Sequence, residues 1–136
     1  MKTPRLLAAA LAGIALASCA QTTPAPTTPA EPESARLGRE LRTLIGPAAC
    51  SSDAQCRTVP VGAKACGGPA GYWAWSTQGT DADALKALAA RQAEAHRGEL
   101  QASGLRSNCA MAPDPGAACV AGRCQLTTPP PSRGAQ

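Results

Sequence analysis

Six cysteines, Cys50, Cys56, Cys66, Cys109, Cys119 and Cys124, constrain this chain more than any other feature. They lie downstream of Lys2 and Arg5 and of Leu6 to Ala17, twelve residues that are all apolar or Gly. A charged start and a short apolar run describe an export signal. The run is too short to cross a hydrocarbon core of about 30 Å, which needs roughly 20 residues. Export brings the oxidising surroundings in which disulfides persist, so an even number of cysteines reads as three disulfides. Spacing alone leaves the pairing open. Parity narrows it: three cysteines precede a central helical segment and three follow it. An odd number of bridges must therefore cross, and at least one closes a loop containing residues 67 to 108. On the chain-entropy account such a loop contributes about 4 kcal/mol. Structural zinc is the rival use of clustered cysteines, but it favours close pairs such as Cys-x-x-Cys. Here the intervals are five, nine, forty-two, nine and four residues, with a single His, and neither a zinc pair nor a redox Cys-x-x-Cys stands out.

The chain needs such staples. Between Ala35 and Leu126 there are only about a dozen Leu, Ile and Val and no Phe, and much of the apolar content is Ala. At about 25 cal/mol per Å² of buried apolar surface, Ala contributes little to a core. On either side the composition changes. Gln21 to Ser34 carries four prolines and no large apolar residue. Such a stretch favours extended polyproline-II and reaches on the order of 40 Å at about 3.1 Å per residue. Thr127 to Gln136 has the same character, with Pro129-Pro130-Pro131, and reads as a disordered tail.

Within the domain, Leu37, Leu41, Leu44 and Ile45 fall at i, i+4, i+7 and i+8, which predicts a helix over 34–45 ended by Gly46-Pro47. Thr80-Asp81-Ala82-Asp83 resembles a capping box. It opens a second helix through Leu85, Leu88 and Gln92 to about Leu100, with Gly104 as its stop. Arg57 to Val61 reads as a strand that Pro60 confines to an edge. Ala117 to Leu126 reads as a hairpin about Ala121-Gly122 that sets Cys119 opposite Cys124. The expected fold is a small disulfide-stapled α+β domain over 35–126, with one or two helices against a minimal antiparallel sheet.

Leu16-Ala17-Ser18-Cys19, at the end of the apolar run, resembles the lipobox of bacterial lipoproteins. The resemblance implies cleavage after Ser18 by signal peptidase II, with residues 1–18 removed as the signal peptide. It implies a lipidated Cys19, residues 19–34 as a tether, and a lipid anchor in the membrane. Several acyl chains, at about 0.8 kcal/mol per buried CH₂, hold where one would be marginal. Ala20 in place of Asp further implies the outer membrane, with the domain facing the periplasm. Loss of Lys2 and Arg5 leaves eleven basic against nine acidic side chains. With so little net charge and no basic cluster, nucleic acid is not expected as a partner.

Cys66-Gly67-Gly68-Pro69-Ala70-Gly71-Tyr72-Trp73-Ala74-Trp75 holds every aromatic residue of the chain. With the flanking cysteine triads it is loosely similar, over residues 50 to 124, to small cysteine-rich bacterial lipoproteins, a resemblance that implies no activity. Exposed, Tyr72, Trp73 and Trp75 would stack on sugars or anchor an envelope protein or glycan partner. A domain so poor in large apolar residues is nevertheless expected to bury at least two of the three.

His96, the only imidazole, shares a helix face with Leu85, Leu88, Ala89 and Gln92, and Glu99 follows one turn later. A general base needs a nucleophile in reach. No Gly-x-Ser-x-Gly is present, and Gly67-Gly68-Pro69 lacks the Lys-Ser/Thr of a phosphate loop. His96 is therefore expected to be a satisfied helix-face residue, with no cofactor, no metal and no enzymatic activity. The expected role is a non-enzymatic binding or structural one in the cell envelope. The alternative is an exported inhibitor of a protease or lysozyme-like enzyme, presenting Arg57 or Lys64 from the segment between Cys56 and Cys66.

Overall fold

The computed structural model describes residues 30–106 and 109–127. The signal segment, Cys19, most of the tether and the tail beyond Thr127 lie outside the described residues. The elements are α1 (Glu33–Ile45), a short 3₁₀ turn (Asp53–Gln55), β1 (Cys56–Val61), β2 (Gly71–Ser76), α2 (Ala82–Ser103), β3 (Ala117–Val120) and β4 (Arg123–Leu126). The expected α+β class holds, with two two-stranded antiparallel sheets in place of one. Among the described residues, no helix is long and apolar enough to cross a membrane.

The β1–β2 hairpin is the middle layer. Its register sets Cys56 opposite Ser76, Thr58 opposite Ala74 and Val59 opposite Trp73. Because successive side chains alternate between faces, Val59, Val61, Trp73 and Trp75 meet the helices. There they pack with Leu41, Leu85 and Ala89, and with the half-buried Leu44, Ile45 and Leu88. Cys56 and Ala74 lie on the opposite face, against Cys124, Cys119 and Ala117 of the β3–β4 hairpin. One hairpin thus supports two small cores.

Pro60 has no N–H to donate, and in a two-stranded sheet each strand has a free edge to accommodate it. The β3–β4 turn carries positive φ at Ala121 (51°) and Gly122 (77°), the type I′ pattern that matches strand twist. Cys119 and Cys124 are directly opposed. Opposed residues share a face, so both sulfurs point the same way and bond outward. The bridges are Cys50–Cys119, Cys56–Cys124 and Cys66–Cys109. All three cross between the two triads, where parity required at least one.

Four boundaries differ from expectation. The cap of α2 is Asp81, not Thr80: its Oδ1 accepts from the N–H groups of Asp83 and Ala84, both at 3.0 Å. The helix continues to Ser103, past Leu100, before Gly104 stops it. At the other end, Ser34 belongs to the fold and not to the tether, being 8% exposed and bonded to α2. Thr127 is likewise tied down, donating its N–H to the Gly116 carbonyl at 3.0 Å.

Candidate functional site

Three polar side chains on one stripe of α2 stitch the domain together. Gln92 Oε1 accepts the Gly62 N–H at 2.6 Å, and His96 Nδ1 accepts the Ala63 N–H at 3.0 Å. Glu99 accepts the Ser34 N–H at 2.9 Å and also the Ser34 hydroxyl. At α1 the N-cap position is Pro32, which supplies no side-chain cap. Glu99, sixty-five residues away, takes that role and satisfies a donor the helix start leaves orphaned. His96 is thus a satisfied helix-face residue whose Nδ1 holds the turn after β1, leaving the proton of its neutral form on Nε2. Gly62 (φ 67°) permits the close approach, since a Cβ there would lie 2.8 Å from Ala70 Cβ and 3.0 Å from His96 Nδ1.

The two Ser34 bonds, side chain first, hold the Glu99 carboxyl below its ordinary value of 4.5; burial opposes them, and the neighbouring His96 adds a smaller lowering. A folded-state value below the unfolded one contributes stability that is present above pH 4.5 and lost as pH falls through the lowered value. Replacing the cap, Glu99→Ala, is expected to cost about 1 kcal/mol at neutral pH. The gap to wild type should close in acid. Urea titrations at neutral and acid pH check this, and a pH-independent gap would contradict the cap.

Beside this stripe, α2 and the β1–β2 connection enclose a cleft of about 250 Å³. Ala89, Ala90 and Ala93 form the helical wall, and Val59, Pro60, Gly62 and Pro69 the other. The small side chains leave the space open. Lys86 and Arg97 stand at its rim, and no carboxylate lines it. Arg97 is paired with Glu94 one turn away, whereas Lys86 makes no ion pair among the described residues. Such a cleft suits a small apolar group bearing negative charge. It is below the usual size for a drug-sized ligand, which needs roughly 300 Å³ or more.

The sequence-derived candidates are split between layers. Trp75 is 4% exposed, and its Nε1 donates to the Thr58 carbonyl at 3.1 Å, so it is a core residue. Trp73 is half-buried on the same face, with the Arg42 guanidinium 4.1 Å above its ring and Gly38 of α1 against its edge. Tyr72, half-buried, belongs to the opposite face with Pro60. The strand period separates the three, and they form no common aromatic surface.

The segment between Cys56 and Cys66 is not closed on itself, since Cys56 bonds Cys124 and Cys66 bonds Cys109. It is strand β1 and a turn, with Val59, Val61 and Ala63 buried. Arg57 is exposed but donates to the Cys56 and Ala54 carbonyls at 2.7 and 2.9 Å. Lys64 is half-buried and donates to the Ala110 carbonyl.

Among the described residues, the close group of metal-competent atoms is sulfur. The Sγ atoms of Cys50, Cys56 and Cys124 lie within 4.8 Å of one another. Sequence reasoning missed this cluster, the cleft and the Glu99 cap. The first was hidden by the long interval between triads, the second by the blandness of an Ala stripe, and the third by a sixty-five-residue separation.

Fold and site together define a small disulfide-stapled α+β domain with an apolar, cation-rimmed cleft beside α2. No protein-family model, curated protein or solved structure matches this chain.

Proposed function

We propose that this chain is a lipid-anchored cell-envelope protein whose domain binds a partner rather than catalysing a reaction. Cys19 carries the acyl chains in the outer membrane, the Pro/Thr-rich tether spaces the domain into the periplasm, and the cleft receives the partner. The observation that carries the binding role is the cleft itself: an apolar wall of Ala, Val and Pro, with Lys86 unpaired among the described residues at its rim. The employment of His96 Nδ1 in holding Ala63 supports the same reading, because the imidazole already serves the fold. The partner is an envelope protein or glycan that offers a small apolar group beside a negative charge.

Fractionation of cells producing wild type or Cys19→Ala tests the anchor. Wild type is expected in the membrane fraction, extractable only with detergent, and the variant in the soluble fraction. Equal partition of both would remove the anchor from the account. Crosslinking in the same cells tests the cleft. A partner captured by wild type is expected to be lost from Lys86→Glu, whereas unchanged capture would place the interface elsewhere.

A further inference from the structure

We propose that Cys50, Cys56, Cys119 and Cys124 form, once reduced, a four-thiolate site for Zn²⁺. The same residues would then hold the domain by two disulfides in one redox state and by one metal ion in the other. Three of the four sulfurs already lie within 4.8 Å of one another, and the fourth, Cys119, is bonded to Cys50. Tetrahedral zinc with Zn–S near 2.3 Å sets its sulfurs about 3.8 Å apart; Cys119, outside the group of three, must swing toward Cys56 and Cys124 once its bond to Cys50 is broken. The chain intervals fit as well. Cys119 and Cys124 are wider than the close Cys-x-x-Cys pair zinc favours, but their four-residue interval, folded into a hairpin, is at the outer end of the range such pairs use. Cys50 and Cys56, five apart, are brought together by the 3₁₀ turn.

Hydrogen bonds that do not depend on sulfur hold these backbones in place. The Cys50 N–H donates to the Gly122 carbonyl at 3.0 Å, and the Cys124 N–H to the Ala48 carbonyl at 2.9 Å. The Cys119 N–H donates to Asp53 Oδ1 at 2.7 Å. Ile45, Ala48, Ala74 and Ala117 pack around the buried Cys56 and Cys124 and the half-buried Cys50 and Cys119. Four thiolates and one Zn²⁺ leave a double negative charge. Arg57, bonded to the Cys56 carbonyl, and Arg123, bonded to the Pro47 carbonyl, bring two cations to the same end of the fold. Two acids stand on that side: Asp53, engaged by the Cys119 N–H, and Asp114, which accepts from the Thr58 hydroxyl on the Cys56 face of β1.

The chemistry balances with a dithiol as reductant. Each disulfide takes two electrons and two protons from one dithiol, which closes to its own cyclic disulfide. Zn²⁺ then displaces four protons from the four thiols to solvent. Because the ligands come from both ends of the domain, metal binding replaces the lost cross-links and is coupled to folding.

The test uses the full chain reduced with dithiothreitol, freed of reductant without oxygen, and titrated with Zn²⁺. Native mass spectrometry is expected to show one Zn²⁺ per chain, and circular dichroism a gain of helical signal complete at one equivalent. Iodoacetamide is expected to alkylate Cys50, Cys56, Cys119 and Cys124 at least about tenfold more slowly with Zn²⁺ than without, while Cys66 and Cys109 change little. The Cys66→Ser/Cys109→Ser variant should bind one Zn²⁺ as wild type does, and Cys50→Ser/Cys119→Ser should bind at least about tenfold more weakly. All readings are taken on reduced chains, so no variant needs to form disulfides. No bound Zn²⁺, equal protection of all six thiols between Cys50 and Cys124, or unchanged binding by Cys50→Ser/Cys119→Ser would each overturn the proposal.

Discussion

Removing Cys56–Cys124 with paired Ala substitutions is expected to lower stability by about 3 kcal/mol, and removing it together with Cys50–Cys119 by about 6 kcal/mol. The difference arises because the two bridges share a loop. Because Cys66–Cys109 stays intact and short-circuits residues 67 to 108, each alone closes a circuit of about 27 residues, worth about 3.6 kcal/mol on the chain-entropy account. Once one is in place, the second closes only the short ring through Cys50 to Cys56 and Cys119 to Cys124. A ring of about eleven residues contributes nearer 3 kcal/mol. The double removal should therefore exceed the sum of the two single ones by about 1 kcal/mol. For a domain of this size, each single removal lowers the midpoint by on the order of 15 °C. Calorimetry of the three variants measures both effects. Additive losses would mean that the bridges act by local packing, not by restraining the unfolded chain.

Trp75→Ala is expected to cost about 3–5 kcal/mol, the range for emptying a large buried ring from a core. Trp75 faces Leu41, Leu85 and Val59, and the indole N–H of the lost ring would leave the Thr58 carbonyl without its donor. Tyr72→Ala, on the opposite and more open face, should cost nearer 1 kcal/mol. Urea denaturation of the two variants makes the comparison. Similar small losses would mean that Trp75 is not the centre of the helix-facing core. The difference also bears on function, because only a residue whose removal leaves the fold intact can be tested for a partner.

Local patterns were legible. The Leu37, Leu41, Leu44 and Ile45 spacing located α1, and Ala121-Gly122 located the last hairpin and its Cys119–Cys124 register. Parity required a crossing disulfide without any geometry. What the sequence withheld was which partner each residue faces across the fold. Cys119 and Cys124 are neighbours in the hairpin, yet each bonds a residue from the other triad, because that face packs on the 48–56 segment. Tyr72, Trp73 and Trp75 read as one aromatic group until the register of β2 against β1 divided them. The period-two alternation of Tyr-Trp-Ala-Trp along a strand carries that division. The Glu99 cap carries no local signal, since Pro32 at the start of α1 gives no hint of a donor supplied by α2.

The most direct measurement is tandem mass spectrometry of the unreduced protein extracted from cell membranes, with its proteolytic peptides kept oxidised. The account expects three linked pairs, Cys50 with Cys119, Cys56 with Cys124 and Cys66 with Cys109, together with an amino-terminal peptide beginning at an acylated Cys19. A bridge within either triad, such as Cys50 with Cys56 or Cys119 with Cys124, would contradict the layered fold. An unmodified Cys19 behind an intact amino terminus would contradict the anchor.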